Sequence, residues 1–196
     1  MGTLRTRATR TLALGAGMGL LACGSPPLSQ SGPGDTGSEV VAGPSQAPDQ
    51  LAAAAICINE LMAVNDYALV LDDGSSPDWV ELHNPTDRSV SLDGWKLHGE
   101  GAEGGTGSLD GLSIEPGGFL LLYADEGAGR GPLSQPFKLT SDGGAVWLES
   151  PDGGGERLSF GWMDDDHSVA KTTDCCEEPD CLEHRYRGSP GASNLE

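Results

Sequence analysis

Residues 76–85 read SPDWVELHNP and place Asp78, Glu81 and His83 within six positions of one another. Those are the residue types of an acid, a base and a metal ligand. The pattern around them is that of a strand. Successive side chains of an extended chain point to opposite faces. Val80 and Leu82 therefore share one face, and Trp79, Glu81 and His83 share the other. A tryptophan beside two ionisable groups implies that the second face is covered and not simply solvated. Asp78 suits the turn that enters the strand, because an aspartate side chain bonds nearby backbone there.

The same kind of short apolar run recurs between turn signals. Trp95 and Leu97 follow Asp93-Gly94, and FLLLYA (119–124) follows Pro116-Gly117-Gly118. AVWLE (145–149) and RLSFGW (157–162) flank SPDGGG (150–155), which reads as a hairpin with a glycine-supported turn. Short strands separated by glycine-rich turns at intervals of about ten residues predict an all-β sandwich or barrel. One stretch reads otherwise. DQLAAAAICINELMA (49–63) has the alanines and the Asp49 of a capped helix.

Six pieces in order carry a family resemblance: INELMAVN (58–65), DWVELHNP (78–85), VSLDGWKL (90–97), IEPGGFLLLYAD (114–125), FKLTSDGGAVWLESPDG (137–153) and GSPGASN (188–194). Together they resemble a lamin tail domain, the Ig-like sandwich that ends nuclear lamins and occurs in exported bacterial proteins. The resemblance implies an Ig-like β-sandwich over 56–196 after an unstructured tether. It replaces the helix with a first strand opening at INE, and it makes Asn84-Pro85 the exit turn of a framework strand. Two departures limit the transfer. No heptad pattern precedes the domain, so lamin-type filament assembly is not expected. TTDCCEEPDCLEHRYR (172–187) looks like an acidic, cysteine-bearing insertion before the closing motif, and no lamin partner is carried over.

Residues 1–22 read as an export signal, with Arg5, Arg7 and Arg10 ahead of an apolar stretch too short to span a bilayer. Leu20-Leu21-Ala22-Cys23 resembles a bacterial lipobox, which implies a lipid on Cys23 and stable anchoring by two or more acyl chains. Absence of an aspartate after Cys23 resembles signals sorted to the outer membrane. Residues 23–55, rich in Gly, Pro, Ser and Gln, read as a flexible tether. The formal charge is −19, from 11 bases and 30 acids. With three arginines in the leader, eight bases face thirty acids, about −22 for the exported chain. Such a polyanion repels phosphate backbones, so nucleic acid is excluded as a partner.

Assigning Cys23 to lipid leaves Cys57, Cys175, Cys176 and Cys181, an even number in an exported domain, which implies disulfides. A bridge between neighbours 175 and 176 would be strained. That leaves Cys57 bonded to one of them and Cys181 to the other. A zinc set of Cys175, Cys176, Cys181 and His184 has neither the usual spacing nor the right compartment. GEGAEG (99–104) matches a dinucleotide fingerprint, but no helix can follow it and its glutamates repel phosphate, so it reads as a mobile loop. DDDHS (164–168) sets Asp, His and Ser side by side, where they point apart instead of converging.

Calcium is the remaining chemistry. LDDGSSPD supplies Asp72, Asp73 and Asp78, and WMDDDH supplies Asp164, Asp165 and Asp166, hard oxygen ligands on loops but without EF-hand spacing. Asp-rich turns are the plainer reading. The expectation is a lipid-anchored envelope module, monomeric and without a cofactor. It would bind an envelope protein or a polysaccharide and carry no catalytic residues. The competing expectation is a calcium-dependent envelope hydrolase, or a calcium-binding module built on these loops.

Overall fold

The computed structural model describes residues 56–101, 104–177 and 181–195. The export signal, Cys23, the tether 23–55 and the alanine run of the helix-like stretch lie outside them. The described elements are β1 (Cys57–Met62), β2 (Asp78–His83), β3 (Val90–Ser91), β4 (Lys96–Glu100), β5 (Gly105–Ser108), β6 (Ser113–Ile114), β7 (Phe119–Ala124), a 3-10 turn (Gly131–Leu133), β8 (Ser134–Gln135), β9 (Gly144–Glu149), β10 (Gly155–Phe160), β11 (His167–Lys171) and β12 (Leu182–Tyr186).

They form an all-β sandwich. One sheet has six strands in the order β12-β11-β1-β2-β7-β8, the other four in the order β10-β9-β4-β5, with β3 and β6 as a small separate pair. Pairing is antiparallel except between β7 and β8. Ile58, Leu61, Val80, Leu82 and Leu122 of the first sheet meet Leu97, Val146, Leu148 and Leu158 of the second in one buried core. The SPDGGG turn closes the β9–β10 hairpin through Ser150 N–H to Gly154 O (2.9 Å) and Gly153 N–H to Ser150 O (2.9 Å).

β1 resolves the helix-like stretch. Ile58 pairs with Leu82 and Glu60 with Glu81, so Asn59 is the extra residue of a β-bulge. The bulge resets the side-chain phase. Ile58 and Leu61, three positions apart, both reach the core, while Asn59 and Glu60 both face the other way. Apolar residues three apart mimic helical spacing, which is why propensity alone favoured a helix.

The two sheets are tied at one side by a half-buried ion pair. Lys171 of β11, 3% exposed, holds Glu156 of β10 at 2.6 Å, and the second oxygen of Glu156 accepts the Ile58 N–H at 2.8 Å. Gly99 and Glu100, the first two residues of GEGAEG, belong to β4, and Gly99 lies opposite Gly105, the first residue of β5; Ala102 and Glu103 lie outside the described residues. The glycines serve packing. A Cβ at Gly99 would lie 2.5 Å from the Phe137 ring, and one at Gly105 2.4 Å from Pro136 O.

Candidate functional site

Asp78, Glu81 and His83 all lie on β2, and the face that Glu81 and His83 share with Trp79 is covered, while Asp78 opens the strand on the other face. The cover is the C-terminal segment, fastened by carboxylates. Glu60 accepts the Ser168 hydroxyl on one oxygen and both the Ser189 N–H (2.9 Å) and its hydroxyl (3.1 Å) on the other. Glu81 accepts Asn59 Nδ2 (3.2 Å) and the Gly191 N–H (2.6 Å). Asp174 accepts Asn59 Nδ2, the Asn194 N–H (2.9 Å) and the Ser193 hydroxyl (2.6 Å). The bulge residue Asn59 thus joins Glu81 and Asp174, and its Oδ1 accepts the Cys175 N–H (3.2 Å).

Burial sets the chemistry of this knot. It pushes Glu81 up to about 8, against the hydrogen bonds from Gly191 and Asn59. For Asp174 burial also opposes ionisation, but the bonds from Ser193, Asn194 and Asn59 outweigh it and hold the carboxyl below its ordinary range. His83 stacks on Phe119 with ring centroids 4.3 Å apart, and its Nδ1 lies 3.0 Å from Gly118 O. The carboxyl groups of Glu60, Glu81 and Asp174 are occupied by polar atoms of the closing segment, and the imidazole of His83 by Gly118 O. The arrangement is a latch.

The cysteines belong to the same latch. Cys57 bonds Cys175, joining β1 to the segment 118 positions later, and Cys176 bonds Cys181 ahead of β12. The structure selects one of the two pairings left open by the sequence. Cys175 takes a positive φ of 55°, the local twist that sends its side chain and its neighbour's to different partners.

The open surface is at one end of the sandwich, where the loops 65–77, 125–133 and 161–166 and the turn after β12 meet. Asp166 organises it. Its Oδ1 accepts the N–H groups of Asp66 (3.0 Å), Tyr67 (2.8 Å) and Ala68 (2.9 Å). Its own N–H donates to Val64 O (2.8 Å), and its carbonyl accepts the Arg187 N–H (2.7 Å). Burial opposes its ionisation, but the three amides hold the carboxyl below its ordinary value. The result is display of aromatic rings. Tyr67 is 74% exposed and Trp162 63%, and Asp66, Asp164 and Asp165, near them in sequence on the same loops, are exposed as well. Met163, next to Trp162, is buried and accepts the Ala63 N–H on sulfur, which fixes the root of that loop.

Further along the same end, Val70, Leu71, Asp72, Asp73, Tyr123, Arg130 and Leu133 line an open groove of about 510 Å³. Arg130 sits over the Tyr123 ring and is bound by Asp125, Asp73 (2.7 Å) and Ser75 (2.7 Å). Two carboxylates neutralise it, so the groove offers no free cation to an anionic ligand.

The acidic candidates do not gather. Asp73 is bonded to Ser75 and Arg130, Asp78 accepts the Asn65 N–H (3.1 Å) and Asp166 caps backbone amides, while Asp72, Asp164 and Asp165 are exposed. Burial pushes Asp78 up to about 7, against the Asn65 bond. Among the described residues no three His, Cys, Asp or Glu side chains form a metal-holding group. Nor do the neighbours in DDDHS converge: His167 Nδ1 lies 2.9 Å from Asp165 O, while Ser168 bonds Glu60 on the buried face. Sequence reasoning missed Asp166, Tyr67 and Trp162 as one feature. The available signal was an aromatic on each of two turn-rich loops, which periodicity cannot register.

Among the described residues no helix is long and apolar enough to cross a membrane. The comparison with curated proteins found no matching relative. A family model described as "Lamin Tail Domain" matches residues 49–169, more than half of the chain, from the approach to β1 through the middle of β11. With the Ig-like sandwich in place over those strands, the chain belongs to the lamin tail domain family.

Proposed function

We propose that this protein is a lipid-anchored, non-catalytic binding module of the bacterial cell envelope. Cys23 carries the anchor, residues 23–55 the tether, and the outer membrane is the favoured site. The loop end is its contact surface, and of the two ligand classes considered, envelope protein and polysaccharide, the chemistry favours polysaccharide. The observation that carries this is the exposure of Tyr67 and Trp162 on loops pinned by one buried carboxylate. Flat rings on a rigid frame stack on sugar C–H faces, and Asp66, Asp164 and Asp165 on the same loops accept hydroxyl hydrogen bonds. The polyanionic surface disfavours anionic glycans and nucleic acid alike. Support for a non-catalytic role comes from the latch, where Glu60, Glu81 and Asp174 already serve the closing segment.

The test is sedimentation with insoluble chitin, an uncharged polysaccharide. The wild-type chain is expected to co-sediment, and Tyr67→Ala/Trp162→Ala to lose at least about tenfold in affinity without a change in melting temperature. Equal binding by both proteins, or none by the wild type, overturns the reading. No calcium requirement is expected. Melts with calcium and with EDTA should coincide, and a large shift restores the calcium alternative. Cys23→Ser should release the protein from membranes, and unchanged fractionation would remove the anchor.

A further inference from the structure

β12 is the last strand of the six-stranded sheet, and among the described residues it pairs with β11 alone. Its sequence is Leu182-Glu183-His184-Arg185-Tyr186. Natural sheets guard a free edge with charged side chains, with proline, or by keeping it short, and charges of opposite sign protect it less where a copy can pair them. Here the charges are of opposite sign and sit symmetrically about His184, with an apolar residue outside each. An antiparallel copy centred on His184 would face Glu183 with Arg185, Arg185 with Glu183, and Leu182 with Tyr186.

Backbone direction fits the same axis. The Thr172 N–H donates to Cys181 O (2.7 Å) and the Arg187 N–H to Asp166 O (2.7 Å). In an antiparallel ladder such bonded pairs alternate with pairs whose polar groups point outward. Cys181, Glu183, Arg185 and Arg187 therefore bond inward to β11. Leu182, His184 and Tyr186 direct their N–H and C=O groups to the free edge. A twofold axis through His184 then makes His184 and its copy a hydrogen-bonded pair. It also lets Leu182 and Tyr186 exchange bonds across the axis.

The side chains are available. Leu182 is 40% exposed and Tyr186 65%, and they share with His184 the face that continues the core side of Val169. Glu183 and Arg185 lie on the other face, bonded to each other through Arg185 Nε (2.6 Å). Both ends of the strand are fixed, one by the Cys176–Cys181 bridge and the other by positive φ at Arg187 and Gly188. A fixed edge carries little ordering cost into an association. The other free edges lack this symmetry. β8 is two residues long, β5 carries no charge, and β10 commits Glu156 to Lys171.

We infer that β12 is a self-association edge, through which two copies of this chain join their six-stranded sheets across a twofold axis at His184. Each copy presents the same strand to the other, as a closed isologous pair requires. The pairing departs from the monomeric expectation of the sequence. Repulsion between two polyanionic domains opposes it. That repulsion is long-ranged and largely screened beyond roughly 8 Å at about 0.15 M salt, whereas the cross-strand pairs act at contact. One strand pair buries little area, so the dimer is weak in solution and gains from confinement on a membrane.

The test uses the full chain in density-matched detergent at about 0.15 M salt, followed by sedimentation equilibrium up to roughly 200 μM, as a weak interface requires. The wild type is expected to show a reversible monomer–dimer equilibrium. Glu183→Arg or Arg185→Glu alone sets like charges opposite each other and weakens the dimer at least about tenfold. The double variant Glu183→Arg/Arg185→Glu restores opposite signs and returns it to within about threefold. A monomer throughout, or a dimer indifferent to the single swaps, overturns the inference. A second readout reports register. Under mild oxidation His184→Cys should form a disulfide-linked dimer, since bonded antiparallel pairs sit about 5.5 Å apart at Cα. Arg185→Cys should not, because its counterpart is Glu183. Cross-linking at both positions, or at neither, contradicts the twofold at His184.

Discussion

Asn59 stands without a partner on β2, and its side chain meets three groups: Glu81, Asp174 and the Cys175 amide. Removing it leaves buried acceptors unsatisfied, so Asn59→Ala should cost about 2–3 kcal/mol in chemical denaturation. A loss below about 0.5 kcal/mol would mean that the closing segment holds itself in place. Glu81 gives a pH signature. A carboxyl whose folded-state pKa exceeds its unfolded value binds more protons when folded, so stability falls as pH rises between the two. For Glu81 that window runs from 4.5 to about 8, and for Asp78 from 3.8 to about 7. Asp166 and Asp174, held low, work in the opposite sense: their contribution is present above the ordinary aspartate range and is lost on acidification below it. The melting temperature should therefore be highest near about pH 5 and decline toward pH 8, and Glu81→Gln should flatten the decline. A wild-type profile that rises from pH 5 to 8 contradicts the buried state of these carboxyls.

At the scale of elements, β2 was the most legible part of the chain, because strict alternation of Val80 and Leu82 against Trp79, Glu81 and His83 allows one geometry. β1 was not legible from pattern alone. Its bulge at Asn59 breaks the period of two, and a single extra residue cannot be separated from helical spacing in so short a strand. The cysteine pairing was half legible. Adjacency excluded a 175–176 bridge, but only the local backbone twist decides which neighbour reaches Cys57. That bridge closes a long loop, and in the chain-entropy account Cys57→Ala/Cys175→Ala should cost about 2–5 kcal/mol by urea denaturation. A smaller loss would assign the fastening of the C-terminal segment to the carboxylates instead. The Glu156–Lys171 pair makes a separate point. Lys171→Ala leaves the partly exposed Glu156 without its cation at the seam between the sheets and should destabilise by about 1–2 kcal/mol, somewhat more than typical surface ion pairs are worth.

For the whole molecule, the sandwich followed from short strands and turn chemistry, and the family from six ordered pieces. The loop end did not follow, because its unity is spatial. Asp166 joins loops about a hundred residues apart, and nothing local in WMDDDH distinguishes the one aspartate that caps three amides from its exposed neighbours. The acidic surface narrows the partners, while the pinned aromatics of the loop end define where a partner would sit. The central claim is that this end binds polysaccharide. The direct measurement is the affinity of the full chain for insoluble chitin, an uncharged polysaccharide, compared with Tyr67→Ala/Trp162→Ala at matched melting temperature. Saturable binding by the wild type that drops at least about tenfold in the variant supports the account. Undiminished binding in the variant contradicts it.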